Sequence, residues 1–154
     1  MHIVLVNPEI PQNTGAIGRL CVGLGVPLHI IRPFSFSLDE RHLRRAGMDY
    51  WQHLDLHLYD SLDAFLETVC PTALWFFSTK STRPYTSVRY RPGDALLFGS
   101  ESRGLAPAYH ERFKDRFVTI PMPGEHARSI NLANAVGIAM YEAHRQISAT
   151  PDPP

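Results

Sequence analysis

The sequence predicts an α/β fold, a mainly parallel sheet with helices on both faces. Candidate strands alternate with candidate helices almost throughout the 154 residues. Several of those strands are continuous apolar runs, the pattern of strands buried on both faces. Sheets of this kind hold ligands beyond the carboxyl ends of their strands. The most polar and glycine-bearing loops here follow Val6, Ser78, Phe98 and Ile120, which is that position.

Each element has a local reason. His2 to Val6 is short, apolar and rich in β-branched residues, so a buried strand. The loop from Asn7 carries Pro8 and Pro11, and a helix is expected from Thr14 to Gly25, with Ile17, Leu20, Cys21 and Leu24 at helical spacing. Leu28 to Ile31 is the next strand, closed by Pro33. Leu38 to Ala46 reads as a helix capped by Gly47. Leu54 to Leu58 is a short strand, and a helix follows with Asp60 or Ser61 as its N-cap. Ala73 to Ser78 is a strongly apolar strand, residues 80–93 are polar and turn-rich, and Asp94 to Gly99 is a strand ending in a glycine loop. Phe117 to Ile120 is the last strand. Residues 129–147 are the last helix, with Leu132, Val136, Ala139, Met140, Ala143 and Ile147 on one face. One domain spanning 1–149 is expected, followed by a Pro-rich disordered tail at 150–154.

Composition narrows the class. Hydrophobic content of 44% and charged content of 19% are those of a soluble globular protein, and a formal net charge of zero gives no global basic field. The cations are uneven in kind: of 15, only Lys80 and Lys114 are lysine. Arginine forks suit phosphate, though a GC-rich genome gives the same bias. Two cysteines are too few for a disulfide scaffold, so a reducing cytoplasm is expected. Met1 and His2 lead straight into a strand, so no signal peptide is expected, and no apolar run is long enough to span a bilayer. The eight histidines are scattered without zinc spacing, so no metal is expected.

Four clusters could carry chemistry. In the first, Asn13-Thr14-Gly15 opens a helix that carries Gly18 and Arg19. Asn13 and Thr14 can cap it, and Arg19 could reach a phosphate near its N-terminus; a surface arginine is the plainer alternative. Neither a Walker loop nor a dinucleotide fingerprint is present. The second is Phe98-Gly99-Ser100-Glu101-Ser102-Arg103-Gly104-Leu105. Its backbone can wrap a flat ligand while Glu101 and Arg103 orient it; a solvated turn is the alternative. The third runs from Ile120 to Asn134: Ile120 and Met122 form an apolar edge, and Ser129, Asn131 and Asn134 are polar groups near a helix start. Asparagine is poor in a helix interior, but a helix N-terminus suits a polar ligand; an N-capped core helix with its asparagines turned to solvent is the alternative. The small residues Ala133, Ala135, Gly137 and Ala139 suit a close helix or subunit contact. The fourth interleaves arginine and tyrosine: Arg83, Tyr85, Arg89, Tyr90 and Arg91. Tyrosine rings could stack bases while arginines take phosphate, unless both are solvated loop residues.

Taken together, the first three loops resemble the three signature motifs of the SPOUT methyltransferases. These are Asn13 with Arg19; Phe98-Gly99-Ser100-Glu101 with Gly104-Leu105; and Ile120-Pro121-Met122 followed by Ser129-Ile130-Asn131-Leu132-Ala133-Asn134-Ala135-Val136. Pro8-Glu9-Ile10-Pro11 and Leu43-Arg44-Arg45-Ala46-Gly47 are similar to the small, single-domain tRNA wobble-position ribose 2′-O-methyltransferases, the TrmL type. Ser100 stands where proline is common, and Ala133 where serine is common.

That resemblance implies a C-terminal deep trefoil knot, which chain-connection rules alone would disfavour. It implies S-adenosyl-L-methionine as cofactor, with contacts on Phe77, Gly99, Ile120 and Ser129. It also implies a homodimer built on the first and last helices, and the anticodon loop of tRNA, of leucine tRNAs in particular, as substrate. Arg19, Glu101 and Ser129 would be the catalytic group, and Asn13, Arg19, Arg103 and Asn131 would contact RNA. A guanidinium with a pKa above about 12 is a poor base, so Arg19 is expected to clamp a phosphate and orient the 2′-hydroxyl. The alternatives are an enzyme of this fold acting on another tRNA or rRNA ribose, a cofactor-dependent RNA-binding protein without turnover, and a small α/β interaction domain.

Overall fold

A computed structural model describes residues 1–38 and 49–149. The expected helix from Leu38 to Ala46, its Gly47 cap and the tail at 150–154 lie outside the described residues, apart from Leu38. Six strands are present: β1 His2–Val6, β2 Leu28–Ile31, β3 Leu56–Tyr59, β4 Leu74–Phe77, β5 Ala95–Phe98 and β6 Phe117–Val118. They form one sheet in the order β3-β2-β1-β5-β4-β6, and every neighbouring pair is parallel. The expected parallel sheet is therefore observed, with somewhat shorter strands. The last one stops at Val118 instead of Ile120.

Alternation along each strand divides the core. Ile3 and Leu5 of β1, Leu96 and Phe98 of β5 and Trp75 and Phe77 of β4 point to one face. Val4, Val6, Leu97 and Phe76 point to the other. The first face is covered by helix α1 (Pro11–Leu24) through Ile17 and Cys21, and by α4 (Leu132–Ser148) through Leu132, Val136, Ala139, Met140 and Ala143. The second is covered by α2 (Leu62–Val69) through Leu62 and Phe65, and by α3 (Pro107–Arg112) with the flanking Phe113.

The helix ends correct three sequence expectations. α1 begins at Pro11, three residues early, because proline suits the first helical turn. Its N-cap is Ile10, with no side-chain cap, so Asn13 and Thr14 lie inside the helix and do not cap it. α4 begins at Leu132, not at 129. Asn131 is its N-cap and accepts from the backbone N–H of Ala133 at 2.9 Å and of Asn134 at 3.3 Å. α3 was not expected; Pro107 at its first turn was the available signal. Ser61, not Asp60, caps α2, accepting from Ala64 N at 3.1 Å.

Candidate active site

The sheet order turns around between β1 and β5: β2 and β3 lie to one side of that pair, and β4 and β6 to the other. A crevice is expected beyond the strand ends at such a reversal. A cavity of about 520 Å³ opens there, within the range of small-molecule sites. Its wall is assembled from four loops: Ile10 and Asn13 after β1, Phe77 to Lys80 after β4, Phe98 to Leu105 after β5, and Thr119 to Leu132 after β6.

Glu101 organises this wall. One carboxylate oxygen accepts from Glu9 N at 2.8 Å, and the other accepts from Ile10 N and Asn13 Nδ2, each at 3.1 Å. A carboxylate from the β5 loop thus sits at the N-terminus of α1, where the helix supplies free N–H groups and a favourable dipole. Glu9 returns the contact: its carboxylate accepts from Ser102 N at 2.8 Å and from Ser102 Oγ at 2.7 Å. These two hydrogen bonds hold the Glu9 carboxyl below its ordinary range, aided by Arg103. Asn13 Oδ1 in turn accepts from Asn131 Nδ2 at 2.9 Å. Three loops far apart in sequence are therefore tied by one polar chain, Glu101–Asn13–Asn131.

Gly99 lets the β5 loop fold back. Gly104 N donates to Ser100 O at 2.9 Å, and Gly104 has φ +67°. A Cβ at Gly99 would lie 2.1 Å from the Gly104 carbonyl carbon. The returning strand touches the Gly99 backbone, and only glycine leaves that room.

The expected site residues fall into two groups. Asn13, Phe77, Gly99, Glu101, Arg103, Ile120, Ser129 and Asn131 all line the cavity. Arg19 does not. It lies six residues beyond Asn13, about 9 Å along the helix axis, on the exposed side of α1. Its guanidinium lies 5.6 Å from the centre of the Tyr50 ring, and Tyr50 OH donates to Gly15 O at 2.8 Å. Lys80, His110 and Arg128 also line the cavity, and sequence reasoning missed them. Nothing in their spacing marks them; the fold brings them in.

The arrangement suits a compact ligand with an apolar ring and several polar edges. Phe77, Phe98, Leu105 and Ile120 offer apolar surface, and the glycine-bearing turns offer backbone groups. A nucleoside bearing a charged side chain fits this donor set, and Glu101 supplies negative charge beside it. Parallel α/β layers with a nucleoside-sized crevice at the strand ends define an α/β protein whose ligand site lies beyond its sheet.

Comparison with known proteins gives the family. The model of the SpoU rRNA Methylase family matches residues 1–141, and the chain belongs to that family. A tRNA (cytidine(34)-2′-O)-methyltransferase of Aeromonas hydrophila is 44% identical over 149 residues, covering 96% of this chain and 94% of that protein. A solved structure concerned with 2-OH methylation of C/U34 on tRNA is 50% identical, with a TM-score of 0.88 and 97% of each chain covered. The SpoU methyltransferase AviRb of Streptomyces viridochromogenes, solved with AdoMet, is 25% identical with a TM-score of 0.79, covering 95% of this chain and 60% of that one.

Proposed function

We propose that this protein methylates the ribose 2′-oxygen of nucleotide 34 in tRNA, with S-adenosyl-L-methionine as donor. The observation that carries the reading is the convergence of four loops on one cavity, three of them tied through Glu101, Asn13 and Asn131. Relatives bearing that activity match nearly the whole chain. Leucine tRNAs and the cytoplasm belong to the same reading, as do a single domain over 1–149 and a trefoil knot in the C-terminal part. No helix among the described residues is long and apolar enough to cross a membrane.

When bound, the cofactor supplies a methyl group activated by its positive sulfur. The protein's part is alignment and exclusion of water, which can remove much of a transfer barrier. Phe77, Phe98 and Ile120 hold the nucleoside ring, while Gly99 and Ser129 present polar groups to its edges. Both Glu101 oxygens are already engaged by three donors, so Glu101 is a positioning group that sets the cavity's shape and charge. Arg103 and Asn131 face the incoming RNA.

Arg19 orients the substrate from a second subunit. It lies outside its own cavity, on the helix that packs beside α4. α4 exposes Ile138 at 39% and Tyr141 at 53%, apolar surface suited to a twofold contact. Arg19 then clamps the phosphate next to the target ribose with its planar fork.

The test is incubation with methyl-labelled cofactor and total tRNA, followed by mapping of the labelled nucleotide. Label on the ribose of nucleotide 34 is expected. Label elsewhere, or none, overturns the reading.

A further inference from the structure

The arginine–tyrosine segment at 83–91 does not work as its sequence suggested. Tyr90 is buried at 2% exposure, and its hydroxyl donates to Tyr85 O at 2.8 Å. Tyr85 packs against the core and tilts against Phe77. The Tyr90 ring is closed to a base, and the Tyr85 ring is half-buried. The arginine at the head of the segment has a different setting.

Arg83 leads a short stretch that extends the sheet beyond β6. Thr119 N donates to Arg83 O, and Tyr85 N donates to Thr119 O, both at 2.8 Å. The Arg83 main chain pairs with Thr119 beyond β6, while its guanidinium reaches back to the Asp115 carbonyl at the amino end of β6. The Arg83 guanidinium lies 5.4 Å from the Trp75 ring centre, and the Arg116 guanidinium lies 5.7 Å from the same ring. The indole is fixed from below: its Nε1–H donates to the buried Asp94 carboxylate at 3.0 Å, which enriches the ring in electron density. Such a ring holds cations against its face.

Two guanidiniums gathered on one indole repel each other, and each carries five donors. Among the described residues, Arg83 donates only to the Asp115 carbonyl oxygen, at 3.5 Å, and the Arg116 side chain has neither a hydrogen-bond acceptor nor an ion-pair partner. Both residues are exposed. Apart from the buried Asp94 carboxylate below the ring, no acid among the described residues pairs with these two cations. In a chain with zero net charge, that is local complementarity to an anion.

We propose that Arg83 and Arg116, held on Trp75 at the β6 side of the sheet, form a clamp for the phosphodiester backbone of the substrate tRNA. The contact carries no sequence information; it fixes how the RNA lies along the β6 side of the molecule. The clamp rests on the tRNA-methylation reading, and the experiment separates the two.

Binding of bulk tRNA to wild type and to Arg83→Gln/Arg116→Gln is measured over a range of KCl concentrations. The double variant is expected to bind about tenfold more weakly at moderate salt, and its log Kd against log salt to lose about 1.5–2 units of slope. The KM for tRNA rises, while kcat at saturating tRNA and the calorimetric Kd for the cofactor stay at wild-type values. Arg83→Lys/Arg116→Lys keeps the charges and recovers most of the slope. Single Arg83→Gln, which leaves the main-chain pairing with Thr119 intact, gives the same test at about half the size should the double variant unfold. Unchanged slope and KM in a folded variant overturn the clamp, as does a loss that lysine does not rescue or that cofactor affinity shares. If wild type itself neither binds nor methylates tRNA, the function proposed above falls first.

Discussion

Asn131 Nδ2 donates to Asn13 Oδ1 at 2.9 Å, joining residues 118 positions apart in the chain. Asn131 uses its other amide atom, Oδ1, to cap α4, and Asn13 uses its Nδ2 to donate to Glu101. Each amide is thus spent at both ends, and the order of donors and acceptors has only one consistent arrangement.

That arrangement makes Asn13→Asp a sharp test. The change is nearly isosteric but replaces a donor to Glu101 by a second carboxylate oxygen 3.1 Å away. Loss of a charged hydrogen bond and gain of repulsion should cost about 2–3 kcal/mol. Urea unfolding and cofactor calorimetry should both register the loss at neutral pH. Wild-type values in both would show that the chain of amides holds nothing.

Two glycines should respond in opposite directions. In Gly99→Ala the new carbon meets backbone of Gly104 and Leu105 at 2.1–2.3 Å, and backbone cannot swing aside as a flexible side chain can. A loss above about 4 kcal/mol, or failure to fold, is expected. Gly23, within α1, has nothing within 4 Å of an added Cβ. Gly23→Ala should stabilise by about 0.5–1 kcal/mol. Thermal melts of the two variants side by side suffice.

Stability should fall in acid through His29. Burial first, then the neighbouring His2 and His57, push its pKa down to about 3, against the pull of Asp55. Burial also lowers the pKa of His2, whose Nδ1 lies 3.1 Å from His29 Nε2. Tyr59 OH, 3.2 Å from His29 Nδ1, completes the setting. The unfolded chain takes up a proton below about pH 6.5 that folded His29 refuses until about pH 3. The contribution is therefore full above about pH 6.5 and shrinks by about 1.4 kcal/mol per pH unit below it. Urea midpoints at pH 7.5 and pH 5 should diverge in wild type and draw together in His29→Phe. Equal pH dependence in the two proteins would remove His29 from the account.

Subunit mixing tests where Arg19 acts. Arg19→Ala leaves the cavity intact, and Ile120→Trp fills it with an indole. If Arg19 serves the partner's cavity, each alone is inactive, yet mixed dimers contain one complete site. Random exchange should then restore about a quarter of wild-type turnover. No recovery after verified exchange would place Arg19 in service of its own chain.

The layers of this fold were legible because burial on both faces leaves a one-dimensional mark. Apolar runs such as Leu74–Phe77 and Ala95–Phe98 admit few other readings. The three motif loops were legible too, since glycine and asparagine stand where ordinary helices and strands do not want them. Helix starts were less legible: the sequence places the start of the last helix at 129, whereas Asn131 caps it, because a cap is defined by what its side chain bonds and not by its neighbours in sequence.

Sequence alone determined the parallel sheet, the loops that carry the site, and through their motifs the family. Only the tertiary structure decided that Glu101 spends its charge on the α1 N-terminus, that Arg19 stands clear of its own cavity, that Tyr90 is core, and that Arg83 and Arg116 share Trp75. Periodicity records which residues are buried along one element. Partnerships between residues tens to more than a hundred positions apart are fixed by how strands are ordered and how loops return, and no local pattern encodes that order.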